Sequence, residues 1–285
     1  MRTKNAMQLK ALINNRAKAA GISPQLMIQD YLYERLLDRL SQSRWHNNVI
    51  IKGGVLIGSL LGVDSRATKD LDTTITGFTL THETASEVFR DICEIDADDD
   101  FDFEFLRTEN IRETDDYPGI RVFLVAHYDP MAVPLSIDMT TGDAITPEAM
   151  EYEYPLAFDE GSIRIMAYPV ETVLAEKLET VLSRGIANTR PRDYYDIYML
   201  WTVRRDMVDL STLADAIRAT CKKRRSLHVF DAAHKTMGAV REDNVMLGRW
   251  RKFARSYTYA QNMTLAEGCD AVMEIVKLVY RNPAR

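Results

Sequence analysis

Apolar residues recur at helical spacing near both ends of the chain and at strand spacing between them. Over residues 6–42 they return every three or four positions, and Gly21 and Pro24 interrupt the stripe, so we predict helices on either side. From Pro169 to the C-terminus the helical period dominates again. The pattern therefore predicts a mixed half of helices and strands followed by a mostly helical half.

Short apolar or alternating segments in the first half predict β-strands. Residues 48–51 form an apolar strand, and residues 55–61 then have the pattern of a helix packed against it. Strands are also predicted at 70–76, 101–105, 119–126 and 135–139, and a helix at 81–93. The predicted fold class is α/β, a mixed sheet flanked by helices.

The composition is that of an ordinary globular protein. Hydrophobic residues make up 46% of the 285 residues and charged residues 27%, which argues against disorder. We find no apolar run long enough for a transmembrane helix, and the N-terminal residues lead into an amphipathic helix instead of a signal core. The three cysteines are scattered, so we expect a reducing, cytoplasmic setting and no membrane partner.

The excess of basic residues lies in the helical half. The net charge is −6, yet residues 184–255 carry sixteen Lys and Arg against eight Asp and Glu. Basic runs mixed with aromatic residues are typical of surfaces that follow phosphates and stack bases. The alternative is a solvated helix face with its aromatic residues in the core. The predicted RNA-contacting residues are Lys222, Lys223, Arg224, Arg225, Arg251 and Lys252.

Two short motifs in the strand-rich half suggest phosphate and metal chemistry. Lys52, Gly53 and Gly54 lie between a predicted strand and a predicted helix, where glycines let backbone N–H groups approach a phosphate. Asp70 and Asp72 are two positions apart in a strand, so their carboxylates lie side by side, and hard Mg²⁺ prefers such ligands. Taken singly, a plain turn and two solvated acids explain the same residues.

Further charged residues follow at positions that suit a triphosphate site. Asp138 lies in an otherwise apolar strand, where an inward carboxylate must be paired or metal-bound unless the strand is at an edge. Lys177 and Arg184 share a face of one predicted helix. Asp193 and Asp196, at i, i+3, share a face of the next predicted helix. Two cations near a basic turn suit the β- and γ-phosphates, although a solvated helix face with ion pairs fits the same residues.

The order of these motifs resembles that of the AbiEii-type nucleotidyltransferases, toxins of type IV-like toxin–antitoxin and abortive-infection systems. The resemblance covers residues 48–201 and rests on Lys52-Gly53-Gly54, Arg66-x-Thr68-x-Asp70-x-Asp72, Asp138, Ala175-Glu176-Lys177-Leu178 and Arg190-x-Arg192-Asp193-x-x-Asp196. It implies a fold related to DNA polymerase β. We accordingly expect a nucleotidyltransferase-like α/β domain over residues 1–168 and a helical domain over 169–285 that completes the active site.

The resemblance also implies roles for individual residues. Asp70 and Asp72 would hold Mg²⁺ (or Mn²⁺), and we expect Asp138 to complete the metal site. Lys177 would bind phosphates, Asp193 would be a required polar or basic-acting residue, and both would belong to the catalytic set with Asp70 and Asp72. The predicted nucleotide-binding residues are Lys52, Gly53, Gly54, Ser59, Arg66 and Arg184.

The predicted function is metal-dependent transfer of a nucleotide from a nucleoside triphosphate to an RNA acceptor, such as the tRNA 3′ end. The protein would act as a toxin that blocks translation or growth, and the family implies a cognate antitoxin. Val55 stands where many nucleotidyltransferases have Ser or Thr after the glycines, so backbone donors or Ser59 must substitute. Because of this departure, a non-catalytic GTP-binding regulatory module remains an alternative function. A protein instead of an RNA as the acceptor is the second alternative.

Overall fold

The chain divides into a strand-rich unit and a helical unit. A computed structural model describes residues 3–62, 66, 68–111 and 119–281. The first unit comprises Met1–Gly142 and Met150–Ala167, and the second comprises Asp143–Ala149 and Tyr168–Arg285. Among the helices of the described residues, none has both the length and the apolar character needed to cross a lipid bilayer.

A seven-stranded mixed sheet forms the centre of the first unit. Its strands are β1 (Val49–Lys52), β2 (Leu71–Ile75), β3 (Asp102–Asn110), β4 (Ile120–Tyr128), β5 (Met131–Thr141), β6 (Met150–Pro155) and β7 (Ser162–Ala167), in the spatial order β3-β4-β5-β2-β1-β7-β6. The β2–β5 and β1–β7 pairs are parallel, and the other pairs are antiparallel. The strands that carry the predicted glycine turn and acids therefore lie in the interior of the sheet.

In the described part of the first unit, four α-helices accompany the sheet, and their ends follow the local sequence. They are α1 (Ala6–Ala20), α2 (Pro24–Gln42), α3 (Gly53–Leu61) and α4 (His82–Cys93). The α1 helix ends at Gly21 in the left-handed conformation, and α2 begins at Pro24, with the Ser23 side chain accepting a hydrogen bond from the Leu26 N–H. The prediction of a mixed sheet flanked by helices is confirmed.

The second unit is helical. Its helices are α5 (Val170–Arg184), α6 (Arg192–Val203), α7 (Leu210–Arg224), α8 (His228–Asp231), α9 (Ala233–Glu242), α10 (Asn244–Ser256) and α11 (Leu265–Arg281). Helix α5 packs on α6 and α7, and α11 packs on α6 and α9. The segment Asp143–Ala149 belongs to this unit, because the Thr146 N–H donates to the Thr172 hydroxyl at 2.9 Å. The α5–α6 packing brings Lys177 beside the acids of α6.

Candidate active site

Four charged residues form one row across four neighbouring strands. The strand register pairs Lys52 of β1 with Asp72 of β2. Asp72 is paired in turn with Asp138 of β5, and Asp138 with Arg121 of β4. Because directly opposed residues project from the same face of a sheet, two carboxylates lie between two cations on one face. We call these four residues the charge row.

Asp70 adds a third carboxylate beside the charge row. It lies two residues before Asp72, immediately before the first residue of β2, and its Oδ1 accepts a 3.0 Å hydrogen bond from the Ser136 hydroxyl. The buried Tyr33 hydroxyl lies 2.8 Å from the Lys69 carbonyl oxygen and 3.0 Å from the Ser136 carbonyl oxygen. Burial raises the pKa of Tyr33, so it remains a hydrogen-bond donor. Helix α2 thereby fixes the backbone that carries Asp70.

The glycine turn after β1 lies directly against Asp72. Gly53 has a φ of +63°, and a Cβ at this position would stand 2.1 Å from Asp72 Oδ2. The Gly54 N–H donates a long, 3.4 Å hydrogen bond to the same oxygen, and a Cβ there would stand 2.2 Å from Thr68 Oγ1. Because Lys52 caps α3 with no side-chain hydrogen bond, Asp72 provides the negative charge at the amino end of α3. Both positions therefore require glycine.

Electrostatic repulsion among the carboxylates of Asp70, Asp72 and Asp138 favours a bound cation. Burial raises the pKa of the Asp72 carboxyl, Lys52 lowers it, and the carboxylates of Asp138 and Asp70 raise it. Arg121 donates to both Asp138 oxygens, and this pairing raises the pKa of the guanidinium. The guanidinium therefore stays charged, and a cation beside Asp72 would offset the repulsion that its carboxylate meets.

The donor set fits a divalent cation at two of the three acids. Asp70 and Asp72 supply the carboxylate oxygens that Mg²⁺ prefers. In the part of the chain that the structure describes, we find no group of three or more His, Cys, Asp or Glu side chains arranged to hold one metal ion. Both oxygens of Asp138 are instead bound by Arg121. Metal binding by Asp138 therefore stays a prediction that requires this ion pair to open.

Two cations lie near the glycine turn. Lys52 Nζ donates to the Thr140 hydroxyl at 2.7 Å. Arg66 is buried, and its Nη1 stands 2.7 Å from the position that a Cβ on Gly54 would take. Lys52 and Arg66, two of the predicted nucleotide-binding residues, therefore lie beside the predicted glycines Gly53 and Gly54.

Ser59 is engaged inside the first unit. It is buried in α3, and its hydroxyl lies 2.7 Å from the Leu56 carbonyl oxygen and 3.2 Å from the Tyr152 hydroxyl. These contacts give Ser59 a packing role between α3 and β6. Its predicted role as the substitute for a hydroxyl at Val55 would require these contacts to be exchanged.

A second charged cluster lies within the helical unit. Lys177 Nζ is 2.9 Å from Asp193 Oδ1 and 2.7 Å from Asp196 Oδ2, and these side chains are 11%, 3% and 0% exposed. Arg190 Nε lies 3.4 Å from Asp193 Oδ2, an oxygen for which the described residues provide no hydrogen bond. Lys177 is therefore held by two buried carboxylates. Arg184, predicted on the same helix as Lys177, lies exposed at the end of α5.

The residues predicted to contact RNA differ in their surroundings. All six residues are exposed. Arg224 in addition pairs with Glu179 at 2.6 Å and with Glu176 at 3.2 Å. Arg225 ends α7 with a φ of 54°, the left-handed conformation of a helix cap. Their contact with RNA therefore stays a prediction, and Arg224 also links α7 to α5.

The aromatic residues near the second basic run belong mostly to the core. Trp250 and Phe253 are buried, and the Trp250 indole N–H donates to the Met263 carbonyl oxygen. Tyr257 stacks on Tyr259 with a ring-centroid distance of 5.2 Å. For Trp250 and Phe253, the alternative of core aromatics is therefore the correct interpretation.

The residue pattern alone did not indicate Arg121 or Tyr33 as site residues, and it indicated no role for Asp196. Arg121 could have been noticed in the sequence, since it is the one charged residue in the apolar run Ile120–Ala126. Tyr33 could not, because it falls among the apolar residues of α2 and its role depends on two carbonyl groups that are distant in the sequence.

The fold and these motifs define a protein of the nucleotidyltransferase class. JHP933 from Helicobacter pylori has 15% sequence identity and a TM-score of 0.54, with 92% of this chain and 94% of that chain covered. A putative nucleotidyltransferase from H. pylori has 14% identity and a TM-score of 0.50, with 92% and 97% covered. At such identities the likeness shows the fold alone.

The sequence profile described as "Nucleotidyl transferase AbiEii toxin, Type IV TA system" matches residues 35–275. The chain belongs to this family, which confirms the resemblance inferred from the order of the motifs. No functionally curated protein matches the sequence.

Proposed function

We propose that this nucleotidyltransferase toxin transfers a nucleotide from a nucleoside triphosphate to an RNA acceptor, such as the tRNA 3′ end, with the help of a divalent cation. The observation that carries this proposal is the position of Asp72, between the glycine turn and a second carboxylate. Membership of the AbiEii family supports the transferase and toxin assignments. The cation, the triphosphate and the RNA are the proposed elements.

The proposed reaction is an in-line displacement at the α-phosphorus. The acceptor hydroxyl oxygen forms a bond to phosphorus, the bond to the β-phosphate oxygen breaks, and pyrophosphate leaves with the electron pair. The hydroxyl proton passes to a carboxylate or to water. Mg²⁺ (or Mn²⁺) held by Asp70 and Asp72 would supply neutralisation of the phosphate charge.

The chain's own residues then have positioning and charge-neutralising roles. Ser136 and Tyr33 hold Asp70 and its backbone in place. Lys52 and Arg66 place positive charge beside the glycine turn, where a triphosphate would need it. Lys177 stays the predicted phosphate-binding residue of the second unit.

One incubation tests the proposed function. Purified protein is mixed with total tRNA, Mg²⁺ and each radiolabelled nucleoside triphosphate in turn. We expect labelled RNA, and we expect the label to disappear in EDTA. Binding of a triphosphate without any labelled product would support the regulatory-module alternative, and label in a protein band would identify a protein acceptor.

Gly53→Ala is expected to lower RNA labelling by about 100-fold, since a displacement of about 1 Å at a catalytic group has this effect. The new methyl group would overlap Asp72 Oδ2. Gly161→Ala is the matched control, because Gly161 also has a positive φ, of +101°, but open space around it. Both variants should lose about 1–3 kcal/mol of stability through backbone strain, measured by urea unfolding. An equal loss of labelling in both variants would contradict the role of the turn.

The exposed basic side chains of α10 form an RNA-contacting surface that we propose for the second unit. Arg251 and Lys252 are exposed, and Arg251 and Arg255 line a surface cleft of about 650 Å³. Such cations release counterions from a polyanion, so the affinity they provide falls steeply with salt. The α10 surface therefore suits the sugar–phosphate backbone and makes no selection among bases.

Arg251→Glu combined with Lys252→Glu is expected to weaken tRNA binding and to reduce the slope of log affinity against log salt by about 1 per lost phosphate contact. Fluorescence anisotropy at several salt concentrations measures both. Lys277→Glu is the control for charge alone, since Lys277 is exposed on α11. An unchanged slope in the double variant, or an equal change in the control, would assign RNA contact elsewhere.

A further inference from the structure

An arginine fully engages the third carboxylate of the sheet face. Arg121 Nε donates to Asp138 Oδ1 at 2.6 Å, and Nη2 donates to Oδ2 at 2.8 Å. This bidentate fork is the strongest arrangement that a carboxylate and a side-chain cation adopt. The Asp138 side chain is 16% exposed, so water provides little competition for its oxygens. A metal ion at Asp138 would have to compete with this pair for the same two oxygens.

The strand register holds the pair in place. Arg121 and Asp138 are directly opposed in a β4–β5 ladder that runs without interruption from Ile120↔Met139 to Tyr128↔Met131. A shift by one residue would move every side chain of a strand to the other face of the sheet. Arg121 is therefore a permanent neighbour of Asp138 and not a side chain from a variable loop.

The formal charges of the charge row and Asp70 together leave room for one divalent cation. Asp70, Asp72 and Asp138 carry three negative charges, and two positive charges come from the ends of the charge row, Lys52 and Arg121. One divalent ion turns the remaining single negative charge into a single positive charge. A second divalent ion would then be repelled by this positive charge. It would also lack an unpaired carboxylate ligand, because both oxygens of Asp138 accept hydrogen bonds from Arg121.

From this geometry we infer that Arg121 takes the place of a second metal ion. One divalent ion, held by Asp70 and Asp72, is then the full metal complement of the protein without triphosphate, and Asp138 serves as the anchor of Arg121. This inference rests on the metal binding included in the proposed function. It assigns to Asp138 a positioning role in place of the predicted role as a metal ligand.

Mn²⁺ titration of the full chain, followed by the electron paramagnetic resonance signal of the free ion and without nucleotide, tests the inference. The wild-type protein should bind one Mn²⁺. Arg121→Gln should bind two, because it frees Asp138 and removes a positive charge. Arg121→Gln combined with Asp138→Asn should return to one, and Arg121→Lys should stay at one because it keeps the charge.

Asp138→Asn alone gives the decisive control in an otherwise unchanged background. It should leave the count at one, and a count reduced to zero would restore Asp138 as a metal ligand and overturn the inference. Two ions in the wild type would overturn it as well, without affecting the proposed function. A wild-type count of zero would also overturn it, and the RNA-labelling assay would then decide the proposed function independently. If thermal melting shows Arg121→Gln to be unfolded, the wild-type and Asp138→Asn counts still decide.

Discussion

Asp72→Asn is expected to reduce nucleotide transfer by about 10²–10³-fold or more, and at the same time to raise the melting temperature of the metal-free protein. The loss follows because an amide is a poor substitute for a carboxylate that binds a divalent cation. The gain follows because burial raises the pKa of Asp72 and the carboxylates of Asp138 and Asp70 raise it further, so the charged form destabilises the fold. The amide oxygen can still accept from the Gly54 N–H.

The raised pKa of Asp72 determines how the difference in stability between Asp72→Asn and the wild type depends on pH. A carboxyl whose pKa is raised in the folded protein keeps its proton to a higher pH than in the unfolded chain. Stability is therefore lost as the pH rises from the ordinary value of an aspartate through the raised pKa of Asp72. Asp72→Asn lacks this loss, so the difference in melting temperature should be smallest in acid and should reach its full size above the raised pKa.

Differential scanning calorimetry in EDTA across a pH series measures the gain, and RNA labelling measures the loss. Mg²⁺ should stabilise the wild type more than the variant, since a ligand of the folded state raises its stability. Asp100→Asn is the control, because Asp100 is an exposed acid and the same change there should alter neither quantity. Retained labelling would remove Asp72 from the metal site, and a lower melting temperature for Asp72→Asn in EDTA would contradict the destabilisation attributed to its buried charge.

The strands that the sequence predicts are those with a strong local pattern. Apolar or alternating segments gave β1 to β5, and α2 to α4 followed from helical spacing and turn residues. The β6–β7 hairpin, from Met150 to Ala167, was not predicted. Its first strand alternates Glu and Tyr over residues 151–154, but the run is short and ends at Pro155. Its partner β7 pairs with β1, more than a hundred residues earlier in the chain, at Ile51↔Ala167.

Local spacing predicted the individual acids of the site but not their partners. The i, i+2 spacing of Asp70 and Asp72 follows from the strand period alone. Sequence analysis also required Asp138 to be paired or metal-bound, and the structure supplies Arg121, 17 residues away, as its partner. That pairing depends on the register of β4 against β5, which the residues of neither strand specify on their own. Nonlocal register is thus the information that the sequence pattern lacks.

The same limit applies in the second unit, where helical spacing placed Lys177 and Asp193 on two separate helix faces. Their contact arises from the packing of α5 on α6, which also brings in Asp196. Because both carboxylates are buried, the ammonium group is their main compensation for lost hydration. Lys177 therefore has a structural role whether or not it binds phosphates.

Lys177→Met is accordingly expected to destabilise the protein by about 3–5 kcal/mol, the cost of removing one partner from a buried ion pair. Asp193 and Asp196 would remain 3% and 0% exposed without their cation. Urea unfolding measures the change. The control is Arg218→Met, which removes the cation of an exposed pair with Asp215 and should cost at most about 1 kcal/mol.

A triple variant separates the structural role of Lys177 from its predicted role in phosphate binding. Lys177→Met combined with Asp193→Asn and Asp196→Asn leaves no buried charge in the cluster, so most of the lost stability should return. If Lys177 binds phosphates, or if Asp193 is required as predicted, RNA labelling should remain absent in this stable variant. Restored labelling would limit Lys177 to the structural role. If the single Lys177→Met variant is as stable as the wild type, Lys177 does not stabilise the buried carboxylates of Asp193 and Asp196. That result would contradict the structural role assigned to Lys177.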